Sequence, residues 1–186
     1  MLGKPYPLAA VTRLLAVAVL VFGAGSVAAK DLGIAAFYGK WQGHAMSESD
    51  ISVHFQMTSR DIGVEIEPAT HGFKLTWNTV QRQRGDPSNP VEKLKSATIK
   101  FREARAGVWR GISSRDPLHA AEPYAWAHIE RQTLVVTVLQ IELDGSHELQ
   151  IYRRTITGGP MELEFSRIVD GRQVRTAKGR LIKVGN

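Results

Sequence analysis

The sequence predicts an all-β protein: a single antiparallel up-and-down β-barrel of roughly eight to ten strands, preceded by an N-terminal signal peptide. Three observations carry that expectation. Beyond residue 29, apolar and polar side chains alternate with period two in segment after segment, as a strand does when it buries one face and wets the other. Turn residues punctuate the chain at the spacing of consecutive antiparallel strands, and Asp144-Gly145 and Asp170-Gly171 supply the positive φ of tight hairpins. The first 29 residues instead set Lys4 and Arg13 ahead of an apolar core, Leu14 to Phe22, which ends in small residues.

That leader is too short for a bilayer span, which takes roughly 20 apolar residues, and Gly23, Gly25 and Ser26 break it. Cleavage is expected near Ala28 or Ala29; the alternative is an uncleaved N-terminal anchor. Either way the domain is expected outside the cytosol, periplasmic or secreted, with no stable transmembrane span after processing. Residues 30–186 then make one domain of 157 residues, long enough to bury a core without staples. The chain has no cysteine, so neither a disulfide framework nor a cysteine-linked lipid anchor is expected. The leader holds two of the 24 Lys and Arg residues and none of the 18 acids, which leaves 22 bases against 18 acids, net +4. That modest excess reads as solvated strand edges and turns, and no nucleic acid partner is expected.

In chain order, strands are expected at Tyr38–Ser47, Arg60–Pro68, Gly72–Gln83, Ser96–Arg105, Val108–Ser113, Tyr124–Glu130, Thr133–Leu143, Glu148–Thr157, Met161–Val169 and Gln173–Val184. Ile62, Val64 and Ile66 alternate with Gly63, Glu65 and Glu67 before Pro68-Ala-Thr-His-Gly72 turns the chain back. Phe73, Leu75 and Trp77 alternate with Lys74, Thr76 and Asn78. Leu134 to Ile141 is apolar on both faces, which points to a strand covered from two sides or one that touches a neighbouring surface. Met161, Leu163 and Phe165 alternate with Glu162, Glu164 and Ser166. His54 to Ser59 is ambiguous, and Glu92-Lys-Leu-Lys95 has room for one helical turn. Long Pro-marked connections run over 85–90 and 114–123. So many serial strands must pair face to face or close on themselves, and closure removes the exposed edges that favour aggregation.

The domain opens on Phe37-Tyr-Gly39-Lys-Trp41-Gln-Gly43, which resembles the Gly-x-Trp start of lipocalins and other calycin barrels. The resemblance implies that Gly39 and Trp41 close one end of the barrel. It also implies that a basic side chain of the last strands, Arg175 or Arg180, lies across the indole by cation–π contact.

A small barrel either fills its lumen with side chains or holds one small ligand. The expected partner is an apolar or amphipathic small molecule; the alternative is a filled barrel that docks on an envelope protein. Trp77, Trp109 and Trp126 are candidate ligand contacts, although each reads first as core packing. Alternation over Leu149 to Arg154 puts Gln150, Tyr152 and Arg154 on one face and Leu149, Ile151 and Arg153 on the other. If the polar face is the lumen, Tyr152 and Arg154 form a fork for a carboxylate, similar to the Tyr and Arg of fatty-acid-binding proteins. The simpler arrangement turns that face to solvent and Leu149 and Ile151 to the core.

Catalysis finds little support. No two of His44, His54, His71, His119, His128 and His147 fall at the spacing of a metal site. No Gly-x-Ser-x-Gly occurs, no Gly-rich loop precedes a helix, and Arg84-Gly-Asp86 beside Pro87 reads as a turn. No catalytic residue, metal or cofactor is expected; an enzyme would have to use Ser114 to Pro123 as a lid.

Overall fold

A computed structural model describes residues 31–50, 57–82, 92–113, 115–120 and 123–186. The signal peptide expected over residues 1–29, its cleavage site, His54 and the Arg84-Gly-Asp86 tripeptide lie outside the described residues. After a short 3-10 turn, Ile34–Phe37, come β1 (Gly39–Ser49), β2 (Met57–Ala69), β3 (Gly72–Arg82), β4 (Glu92–Arg105) and β5 (Val108–Gly111). A single helical turn, α1 (Pro117–Ala120), precedes β6 (Tyr124–Glu130), β7 (Thr133–Ile141), β8 (His147–Ile156), β9 (Met161–Val169) and β10 (Arg172–Gly185). Every strand pairs antiparallel with its neighbours in sequence, and β1 pairs with β10 to close the barrel. The fold is therefore the all-β, up-and-down barrel that the alternation predicts.

Local chemistry accounts for most of the turns. Asp170 and Gly171 both take positive φ, 47° and 78°, as the tight hairpin between β9 and β10 requires. Between β7 and β8, Asp144 Oδ1 accepts from the Ser146 backbone N at 2.9 Å and from Ser146 Oγ at 2.7 Å, which holds the Asp144-Gly145 turn. Two details differ from expectation. Glu92 to Lys95 is strand, because pairing with Thr79 to Arg82 offers its backbone a ladder that an isolated helical turn could not match. The ambiguous His54 to Ser59 stretch becomes β2 from Met57 onward.

One end of the barrel is packed solid. Phe37, Phe73, Leu75, Phe101, Leu134, Met161 and Leu181 are fully buried there. Phe73 stacks on Phe101 with centroids 4.7 Å apart, and Trp109 meets Phe73 edge-on at 5.5 Å. The 3-10 turn caps this end: Phe37 is buried, and Trp41 Nε1 donates to the Phe37 carbonyl at 3.0 Å. Gly39 adopts φ of +125°, and a Cβ there would run into Lys183 and the Gly185 carbonyl, so only glycine fits.

The basic residue at the indole is Lys183, with Nζ 5.8 Å from the ring centroid, in place of the expected Arg175 or Arg180. Register is the reason. Trp41 pairs with Lys183, Arg180 pairs with His44 on the exposed outer face, and Arg175 pairs with Ser49 at the far end of β1. β7 is covered from both sides, as its composition suggests: Leu134 and Val136 are buried on the inner face, and Thr133, Val135 and Thr137 on the outer. Side chains of the flanking strands supply part of that outer cover, including Thr133 Oγ1 and Thr155 Oγ1, 2.8 Å apart, and α1 packs against β7.

A candidate ligand site in the cationic half of the lumen

Toward the opposite end the inner face changes character. The inward positions of β2, β9 and β10 run from Ile66, Val64 and Ile62 to Arg60, from Met161, Leu163 and Phe165 to Arg167, and from Leu181 and Ala177 to Arg175. β8 does the same in reverse, presenting Glu148, Gln150, Tyr152 and Arg154 to the lumen. The polar face of β8 thus points inward, opposite to the simpler sequence reading. Outside, Leu149 lies in register between Leu139 and Ile168 in a half-buried apolar band, and Arg153 Nη2 bonds Glu130 Oε2 at 2.9 Å. Neighbouring strands therefore give the outer residues of β8 their own partners.

These side chains surround a cavity of about 240 Å³. A chain of hydrogen bonds orders one wall: Tyr152 Oη donates to Gln150 Oε1 at 2.7 Å, and Gln150 Nε2 donates to Glu148 Oε1 at 2.6 Å. Arg167 Nη2 completes it by donating to Glu148 Oε2 at 2.6 Å. The Arg167 hydrogen bond holds the Glu148 carboxyl below the usual carboxylate range, and the same bond raises Arg167. The Tyr152 ring sits 5.3 Å from Trp77 and 4.8 Å from Phe165, and burial pushes its phenol up to about 12.

Arg154 forms the floor. It is 1% exposed, and its guanidinium lies 5.3 Å from the Tyr152 ring centroid. Burial lowers its pKa to about 10, which leaves it charged at neutral pH. Its Nε and Nη1 have no hydrogen-bond partner among the described residues, and neither do Nε of Arg60, Nε of Arg175 or Oγ of Ser49. Arg60 is lowered by burial and then by the charge of Arg175. Glu148 is the one acid among the described residues that line this cavity, and Arg167 and Gln150 already engage it.

A second arm of the lumen, about 320 Å³, shares Trp77, Glu148 and Gln150 with the first and is otherwise mostly apolar, with Ile99, Ala125 and Val138 in its wall. It exists because β5 is only four residues long. Pairing of β4 with β5 covers Phe101 to Arg105, so among the described residues the stretch of β4 before Ile99 has no strand beside it on that edge.

Of the sequence candidates, Trp77, Tyr152, Arg154 and Arg175 meet at the first cavity. Trp109 belongs to the packed end. Trp126 stands on the outer face beside Tyr124, at 6.1 Å, because Ala125 and Ala127 take the buried inward positions of β6. Sequence reasoning missed Arg60, Glu148 and Arg167. The signal was present: Arg60 and Arg167 continue the parity of an inward row past the point where that row stops being apolar, and Glu148 shares the face of Gln150, Tyr152 and Arg154.

No protein-family model and no curated protein matches the sequence. Among solved structures, the chain is similar to a protein of unknown function from the DUF3598 family of Nostoc punctiforme PCC 73102, with a TM-score of 0.56 and 15% identity, covering 87% of this chain and 53% of that one. It thus spans about half the length of the Nostoc protein. It is also similar to the S-type phycobiliprotein lyase of Guillardia theta, with a TM-score of 0.54 and 9% identity, covering 83% of this chain and 94% of that one. At such identities the likeness is one of fold, and it agrees with the closed ten-strand topology in making this a calycin-type, lipocalin-like barrel.

Proposed function

We propose that this calycin-type barrel binds and carries, in the periplasm or outside the cell, an amphipathic small molecule bearing an anionic group. The observation that carries the reading is Arg154: a charged guanidinium, fully buried in the lumen, with Nε and Nη1 unpartnered among the described residues. Burying a charge without partners costs several kcal/mol on the scale of desolvation penalties. An anionic oxygen in the cavity would recover that cost, and Trp77, Tyr152 and Phe165 would cover the apolar part of the same molecule. Export rests on the leader of residues 1–29. The likeness to a phycobiliprotein lyase adds a bilin-type molecule to the ligands worth testing.

The test is native mass spectrometry, with denaturing extraction, of the processed protein isolated from its own host's envelope. A stoichiometric co-purifying anionic amphiphile is expected; protein that stays empty there and on titration with decanoate would overturn the reading. Docking on an envelope protein is the second reading. The outer apolar band of Leu139, Leu149 and Ile168 favours it, and an empty barrel that brings down a stoichiometric partner through that band would establish it instead.

A further inference from the structure

The geometry points to a ligand with two anionic groups, one held by Arg154 at the floor of the lumen and the other by Arg60 and Arg175 on the far wall near the mouth. This rests on the reading of the lumen as a ligand site and narrows the class of molecule it takes. Arg154 and Arg60 are joined by one row of the barrel: Arg154 pairs with Leu163, Leu163 with Gly179, Gly179 with Ala45 and Ala45 with Arg60. The two arginines are thus four strand spacings apart, about 19 Å around the wall at roughly 4.8 Å per spacing. Four strands of ten carry them to nearly opposite sides of the lumen.

They also differ in height. Arg154 lies two residues from the end of β8 at the packed end, whereas Arg60 lies three residues from the start of β2 at the open end. The charges sort in the same way, since Arg60 feels Arg175 and Arg154 feels Tyr152. Among the described residues each locus has its own unsatisfied donors: Nε and Nη1 of Arg154 at the floor, and Nε of Arg60 and Nε of Arg175 at the mouth, where Ser49, the register partner of Arg175, adds an unpartnered Oγ. Two like charges brought together at the mouth repel unless an anion lies between them. Ile62, Val64 and Leu163 line the cavity between the loci and would pack against an apolar body. A molecule with one anionic group satisfies one locus and leaves the other bare.

Isothermal titration calorimetry of the processed protein with decanedioate and with decanoate separates the cases. The dianion should bind at least about tenfold more tightly, since it makes a second charge-assisted contact. In the double variant Arg60→Gln, Arg175→Gln the advantage of the dianion over decanoate should vanish, while Arg154→Gln should weaken both. Equal affinity of the two ligands in the wild type, with decanoate still dependent on Arg154, would overturn the dianion inference and leave the carrier reading standing. If neither ligand binds the wild type, the dianion inference falls, and the carrier reading falls with it when the protein isolated from its own host is empty as well. The wild-type comparison needs no variant to fold, and thermal melts of the variants show whether their results count.

Discussion

Trp41 and Trp77 lie on one row of the barrel, joined through Val64, yet they do different things. Trp41 is 3% exposed, bonded through Nε1 to the Phe37 carbonyl and covered by Lys183. Trp77 is part-buried, rests on Tyr152 and lines both arms of the lumen. The difference comes from closure. Strands in a closed barrel tilt against its axis, so a row of paired residues climbs the wall instead of ringing it at one level. Two strands along the row, an indole has moved from the packed end into the cavity. The two ends also use free energy differently: the closed end gains it by burying aromatic surface, and the open end holds buried donors that no described residue satisfies.

The largest test of this contrast is Trp41→Ala. Removing a packed indole with a buried hydrogen bond should cost about 3–5 kcal/mol in urea denaturation; a loss under about 0.5 kcal/mol would mean that the ring does not close the barrel. Arg154→Met should act in the opposite direction. Replacing an incompletely partnered buried guanidinium by an apolar side chain should stabilise the ligand-free protein by about 1–3 kcal/mol, while affinity for decanoate falls at least about tenfold. Destabilisation of the ligand-free protein would show that Arg154 is structural.

Trp77→Ala should cost less than half of what Trp41→Ala costs, about 1–2 kcal/mol, because part of its surface already faces the cavity. It should also abolish the change in tryptophan fluorescence that decanoate produces in the wild type, whereas Trp109→Phe should leave that change intact.

The smallest effect is the pH dependence of the Glu148–Arg167 pair. Because the folded-state pKa of Glu148 lies below its unfolded value, the pair adds stability above the ordinary carboxylate range and loses it as pH falls through the lowered value. The group is partly solvated, so the contribution should stay under about 1 kcal/mol. The gap in melting temperature between wild type and Glu148→Gln should close as the pH falls through and below the ordinary carboxylate range; a gap independent of pH would show that the carboxylate charge is not what the pair contributes.

Strand number, order and turns were legible in the sequence because each depends on residues close together in the chain. The run of Met161, Leu163 and Phe165 needs only period two, and Asp170-Gly171 needs only the φ that its own residues tolerate. The Gly39-x-Trp41 start pointed to the closed end through its resemblance to the opening of lipocalins and other calycin barrels, and in the structure Gly39 takes φ of +125° beside the packed indole. The site was legible only in part. Tyr152 and Arg154 stood out on β8, but alternation there offered two possible faces. Arg60 and Arg167 stayed hidden because each follows an apolar row and looks like the solvent-exposed end of its strand, and Arg175 was legible only as a candidate cover for the indole.

The sequence by itself determined an all-β chain of roughly eight to ten serial strands, and the two sets of side chains that each strand turns to its two sides. Only the tertiary structure decided which set faces the lumen, which basic residue covers Trp41 and how far apart the arginines stand. The physical reason is that period-two alternation is symmetric between the two faces of a strand. Inside and outside are assigned when closure fixes tilt and register against neighbours many residues away, as the pairings of Arg154 with Leu163 and of Trp41 with Lys183 show.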